Sequence, residues 1–259
     1  MNYFVEGLQG SGKSTLVDKL SKLKTDCCTV KEGDYSQIEL AWCAYMDEQT
    51  YQDKLNTYPD MKDIIEANTY KENDKRIVCY TKIRTDNRDF YKDLEQYEIY
   101  NGRVSYEDFK QIVFTRLKAW NQDNMIYECS LFQNIVEDMI LYRCASDDEI
   151  IDFYKSIRET LSDKDYHVFY LKADDIVGNL NVIRKERSDD KGNEIWFPLM
   201  IDYFDNSPYA KEKGLKGEDA LIGHFIHRQE LELKICKEIF PDKCTVISSK
   251  NYSDDELSE

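Results

Sequence analysis

The chain has 259 residues, 41% hydrophobic and 33% charged, which suffices for one large α/β domain or one domain carrying an insertion. Its formal net charge of −16 argues against nucleic acid and anionic membrane as partners, because no run of Lys and Arg reverses it locally. No apolar stretch approaches the ~20 residues that span a bilayer, and no charged-then-apolar leader precedes the first strand, so a cytoplasmic protein is expected.

Tyr3-Phe4-Val5 reads as a short strand, and Thr15 to Leu20 as a helix with Leu16 and Leu20 on one face. Between them stands Gly7-Leu8-Gln9-Gly10-Ser11-Gly12-Lys13-Ser14-Thr15, which fits G-x-x-x-x-G-K-[ST], the phosphate-binding P-loop. The glycines let the backbone approach an anion without a Cβ in the way. The freed N–H groups and the helix N-terminus point at phosphates. Lys13 is placed to reach the β- and γ-phosphates of ATP, and the Ser14 hydroxyl to sit on Mg²⁺. Gly7, Gly10, Ser11, Gly12, Lys13, Ser14 and Thr15 are therefore the candidate nucleotide-binding residues.

Cys28 to Glu32 reads as a second strand ending in a carboxylate, followed by Gly33-Asp34. Strand C-termini line the ligand crevice of an α/β sheet, so Glu32 stands where a functional acid belongs. Ser36 to Gln49 has the spacing of a helix, with Ile38, Trp42, Tyr45 and Met46 along one stripe. Trp42 and Tyr45 then serve either as core or as the wall of a substrate pocket beside Glu32. Beyond Pro59, Asp60 to Glu72 is predicted helical, and Ile77 to Ile83 is either a strand or the start of a buried helix. The section from about 50 to 104 is long for a single crossover and is read as a helical insertion shaping the acceptor side. Ser105 to Asp108 caps a helix from Phe109 to Trp120.

Asn124 to Glu128 is the next strand and also ends in a carboxylate, and a helix runs on through Tyr142. Ser146 caps the helix Ile150 to Leu161, with acids in its first turn. Tyr166 to Leu171 is a buried strand, and Asp174-Asp175 open the helix Ile176 to Lys185. A charged turn follows, then helices from about Ile195 and from Glu218 to Phe240, and a last strand at Cys244 to Ser248. The acidic end, Ser253 to Glu259, is expected to fray. Five strands alternating with helices predict an α/β fold: a three-layer P-loop NTPase with a five-stranded parallel sheet and a helical insertion, one domain over 1–259.

The eight cysteines form no C-x-x-C pair, so neither a zinc knuckle nor a redox motif is visible, and reduced thiols are expected. His224 and His227 lie three apart on a predicted helix, but no third ligand has suitable spacing, so they read as ordinary helix histidines.

Three features together resemble the P-loop kinases of small metabolites, specifically the deoxynucleoside kinase and thymidylate kinase group. They are the P-loop, the carboxylate Glu32 followed by the aromatic Trp42, and the run from Tyr166 to Arg187, where a strand ending in Tyr170-Leu171 precedes a helix ending in Arg184 and Arg187. The resemblance implies that these arginines belong to a lid, at about 184–194, that closes over the phosphates. Ile201-Asp202-Tyr203-Phe204 looks like the helix after the lid. The resemblance further implies that Glu128 helps position Mg²⁺ or its waters. In that group an arginine follows this acid; here Cys129 takes its place, so the donor side is intact and the acceptor is undefined. The chain is also similar to uncharacterised bacterial P-loop proteins that share its Glu-Gly-Asp and Gln-Asn segments.

The expectation is an ATP-dependent kinase that transfers the γ-phosphoryl group to a hydroxyl or phosphate of a small, nucleoside- or nucleotide-like acceptor. Glu32 takes the acceptor proton, while Lys13, Arg184, Arg187 and Mg²⁺ neutralise charge. A nucleotide switch or ATPase acting on a protein partner, and a kinase of antibiotic hydroxyls, are the other readings; a homodimer is compatible with all three.

Overall fold

The computed structural model describes residues 1–257; Ser258 and Glu259, the last two of the end expected to fray, lie outside the described residues. The chain opens with β1 (Asn2–Gly7), α1 (Lys13–Leu23) and β2 (Cys28–Val30). The middle of the chain holds β3 (Ala44–Asp47), α2 (Glu48–Thr57), α3 (Lys62–Ala67), β4 (Thr69–Glu72), β5 (Lys75–Val78), α4 (Arg88–Glu95) and α5 (Tyr106–Ala119). Then come β6 (Met125–Glu128), α6 (Gln133–Leu141), α7 (Asp147–Thr160), β7 (Tyr166–Lys172) and α8 (Ile176–Glu186). The chain closes with α9 (Trp196–Asn206), α10 (Pro208–Lys213), α11 (Glu218–Glu238) and β8 (Cys244–Ser248).

Two compact units result, one built from 1–29 and 121–259, the other from 30–120. The first contains the five-stranded parallel sheet in the order β2-β6-β1-β7-β8. Its strands alternate strictly, as a period of two requires. Tyr3, Val5, Phe169 and Leu171 point to one face and pack with Leu16, Val17 and Leu20 of α1. Phe4 and Tyr170 point to the other, where Phe4 stacks on Tyr127 and Tyr170 meets Phe132, which in turn packs on Tyr154 and Phe240. Both faces are covered, so β7 reads as an unbroken apolar run rather than an alternating one. The expected α/β class with a five-stranded parallel sheet is the one observed. The caps at Ser105, at Ser146 with Glu149, and at Asp175 form as the sequence predicts.

The carboxyl end does not fray over its described part. Leu257 is buried in the α1 core, Lys19 pairs with Asp254, and the Lys19 ammonium lies 5.0 Å from the Tyr252 ring centre.

The second unit departs further from expectation. It holds an antiparallel sheet in the order β3-β5-β4, packed with α2, α3 and α4 around Met46, Leu55, Ile65, Val78, Phe90 and Leu94. The helix expected over Ser36–Gln49 is absent. Ser36 Oγ instead accepts the N–H groups of Ile38 and Glu39, and Glu39 Oε1 accepts those of Leu40 and Ala41. Such local side-chain bonds offer the backbone an alternative to the helix ladder. Trp42 then takes a left-handed φ of 62°, and Ala44 to Asp47 continue as a strand. Asp60–Glu72 is helical only over α3, preceded by a 3₁₀ turn at Pro59–Met61, and its last four residues form β4. The ambiguous segment 77–83 resolves into the end of β5 and a 3₁₀ turn at Tyr80–Lys82. Three strands therefore lie within or overlap the stretch expected to be helical.

Candidate active site

The glycine loop joins β1 to α1 as the motif requires, and Gly12 caps the helix with a φ of 92°. Two of its glycines are there for close approach. A Cβ on Gly7 would stand 2.7 Å from Leu171 O and 2.9 Å from Ser11 Oγ. One on Gly10 would stand 3.1 Å from Asn179 O on α8. The first contact would force the loop off the backbone it nestles against, and the second would need α8 to give by a few tenths of an ångström.

Lys13 is buried and curls back over its own loop, donating from Nζ to Gly7 O at 2.8 Å and to Leu8 O at 2.7 Å. Those two carbonyls hold the ammonium at the mouth of the loop. Ser14 is exposed and donates to Glu128 Oε1 at 2.5 Å. Ser11 Oγ is fully buried without a hydrogen-bond partner, a polar atom turned into the loop. A helix N-terminus, a cation, an unsatisfied hydroxyl and a hydroxyl–carboxylate pair thus converge within nine residues and one strand end.

The donor set fits Mg²⁺ better than a softer metal. Ser14 and Glu128 supply hard oxygens, and Mg²⁺ is usually held by one or two such groups together with substrate phosphates and water. Among the described residues no group of three or more His, Cys, Asp or Glu could hold a metal by itself. His224 and His227 do not converge. Nε2 of His224 lies 3.0 Å from Glu137 Oε2, and Nε2 of His227 lies 2.8 Å from Asp147 Oδ1. The eight cysteines are free thiols.

Arg184 and Arg187 end α8, whose earlier turns lie over the loop through Asn179 and Ile183. The two arginines are engaged differently. Arg184 makes a bidentate pair with Glu194, both bonds 3.0 Å, bonds Glu218 at 2.7 Å and stacks on Phe197. Arg187 is exposed, with its guanidinium 5.0 Å from the Trp196 ring centre.

On the second unit, Glu32 lies two residues beyond the end of β2 rather than closing it. It is exposed in a turn closed by the Asp34 N–H to Lys31 O bond, with Gly33 at the positive φ of 84°. Trp42 Cβ is 3.9 Å from where a Gly33 side chain would begin, so the structure brings the Glu32 turn and Trp42 together although no helix carries the tryptophan. Trp42 is 46% exposed, and Tyr45 sits half-buried on β3.

The sequence reading missed several residues. Ser249 donates to Ser11 O at 2.7 Å, and Lys250 Nζ donates to Asn179 Oδ1 at 2.9 Å, so the turn after β8 clasps the loop and α8. No local pattern announces that clasp. Glu6 was also missed. It is fully buried, one residue before Gly7, and accepts the N–H of Leu131 at 2.6 Å and of Gln133 at 3.3 Å. A carboxylate inside an otherwise apolar strand was the available signal. Burial pushes its carboxyl up to about 8, with Glu232 adding to the rise, while the backbone N–H groups and Lys13 oppose it. Behind it, Arg228 is fully buried between Glu137 and Glu232, and Tyr170 donates to Glu232 at 2.7 Å.

No protein-family model matches the chain, and no curated protein matches it. Among solved structures it is similar to a deoxyadenosine kinase from M. mycoides with bound dATP, at 15% identity. That similarity covers 99% of this chain and 95% of the other, with a TM-score of 0.40. A score this low leaves the functional reading to rest on the loop and the residues around it.

Proposed function

We propose that the chain is an ATP-dependent phosphotransferase that moves the γ-phosphoryl group to a hydroxyl or phosphate of a small, nucleoside- or nucleotide-like acceptor. The observation that carries this reading is the arrangement around the glycine loop: Lys13 at its mouth, with Ser14 bonded to the strand-end carboxyl group of Glu128. The loop N–H groups and the N-terminus of α1 receive the phosphates. Lys13 exchanges its two loop carbonyls for β- and γ-phosphate oxygens. Ser14 and Glu128 would hold Mg²⁺ arriving with the nucleotide, and the ion would supply positive charge to the phosphoryl oxygens. Arg184 fastens the lid, and Arg187 adds charge to the transferring group.

Glu32 is the residue we assign to the acceptor. Its carboxylate takes the proton of the acceptor hydroxyl as that oxygen bonds to the γ-phosphorus and the bond to the β-phosphate oxygen breaks, leaving ADP. Its exposure in a turn beside Trp42 suits a group that must meet a diffusible substrate. Trp42 and Tyr45 are assigned to acceptor binding on the same ground.

The test is Lys13→Ala, read by displacement of a fluorescent ATP analogue. Loss of a charge-assisted contact to two phosphates is expected to weaken binding by ~10²-fold or more. Unchanged affinity would remove the nucleotide from this loop. ATP turnover with and without nucleosides, nucleotides and other small alcohols then identifies the acceptor: a switch hydrolyses at one slow rate regardless.

A further inference from the structure

Glu6 lies on the face of β1 that looks toward α6 and α11, between Phe4 and the glycine loop. Its two oxygens accept the backbone N–H groups of Leu131 and Gln133. Gln133 is the first residue of α6, and the preceding Phe132 offers no side-chain cap. A side-chain carboxyl group offers two acceptor oxygens to the bare N–H groups at the start of a helix, and here it comes from a strand 125 residues earlier in the chain.

What this cap holds is the segment that carries Glu128. Between Glu128 and Leu131 the chain makes a sharp turn. Cys129 adopts a left-handed φ of 57°, its N–H donates to Val5 O at 3.1 Å, and Ser130 Oγ donates to Glu128 O at 3.1 Å. A non-glycine residue in that region persists only where its surroundings over-determine it. Val5 fixes the near end of the turn and Glu6 the far end, so adjacent residues of one strand clamp it on both sides. The same strand runs straight into the loop that carries Lys13 and Ser14. We propose that Glu6 is a positioning residue, setting Glu128 against Ser14 and thereby the affinity of the loop for Mg²⁺ delivered with nucleotide.

This rests on the phosphotransferase reading above, and the experiment separates the two. The full chain, Glu6→Gln and Glu6→Asp are compared by displacement of a fluorescent ATP analogue, first without metal and then over a Mg²⁺ titration. The amide of Gln keeps the shape but meets one of the two N–H groups with an NH₂, which cannot accept. Asp keeps the acid but withdraws it by one carbon–carbon bond. Metal-free affinity is expected to stay within twofold in both variants, because the glycine loop and Lys13 are untouched. The Mg²⁺ concentration at half-saturation is expected to rise about tenfold in Glu6→Gln, as when a partner that orients a metal ligand is lost, and by less in Glu6→Asp. A purely structural Glu6 would lower the thermal midpoint and leave the Mg²⁺ midpoint where it is, which overturns the proposal. Should Glu6→Gln not fold, an Mg²⁺ midpoint in Glu6→Asp equal to that of the unaltered chain also overturns it. An unaltered chain that binds no nucleotide refutes the phosphotransferase reading itself, and the role of Glu6 falls with it.

Discussion

A buried carboxyl group beside the glycine loop couples stability to pH, and Glu6 shows in which direction. Its value in the folded chain is about 8 against an ordinary 4.5, so between those limits the folded chain holds a proton that the unfolded chain releases. The stability this confers is complete below about pH 4.5 and is lost as pH rises through 8, on the order of a few kcal/mol in all. Glu98, raised to about 7 by its own burial, acts in the same direction. The thermal midpoint of the unaltered chain is expected to fall between pH 5 and pH 8.5, and that of Glu6→Gln to fall less. Parallel curves would mean that Glu6 does not titrate in this range. From sequence alone Glu6 showed only as an acid inside an apolar strand, and its role was hidden because the groups that define it, the N–H of Leu131 and of Gln133, belong to a segment more than a hundred residues away.

At the scale of elements, Asp189 ties the turn within the segment from Arg184 to Glu194, and Arg184 braces the segment against α11. Arg184 grips Glu194 with a planar fork, reaches Glu218 on α11, and closes a hairpin in which Ser188 and Glu194 form a β-bridge. Arg187 makes no such span. Replacing Arg184 with Ala is expected to raise the rate of limited proteolysis within 188–194 about fivefold, the population change for the ~1 kcal/mol of a well-formed but half-exposed pair. Arg187→Ala is expected to leave that rate unchanged; equal rates in all three proteins would remove Arg184 as the fastener. The sequence announced this element by its charge and position but not which arginine braces it, since both stand at the same helix end. The same limit explains the segment 36–49. Ile38, Trp42, Tyr45 and Met46 fall at helical spacing, yet Ser36 and Glu39 spend their oxygens on neighbouring backbone N–H groups and Trp42 turns left-handed. Short apolar segments do not reveal their period unaided. Longer signals, such as the unbroken apolar run of β7 or the glycine loop, were legible because several neighbouring residues agree.

Over the whole molecule, the residues assigned to nucleotide and those assigned to the acceptor fall in different units. Lys13, Ser14, Glu128, Arg184 and Arg187 belong to the unit of 1–29 and 121–259, while Glu32, Trp42 and Tyr45 belong to 30–120. Glu32→Gln is therefore expected to leave ATP-analogue affinity within twofold while lowering phosphoryl transfer to the acceptor by ~10²-fold. Normal turnover in that variant would return Glu32 to the role of a turn residue.

The strand order carries a consequence for how the chain is made. β1 lies between β6 and β7, so it has no neighbour in the sheet until well over a hundred further residues have left the ribosome. Residues 30–120 are contiguous and carry their own core, and they can condense while β1 still waits. The glycine loop is thus synthesised well before the strands that flank β1, and it is among the last parts of the sheet to take shape.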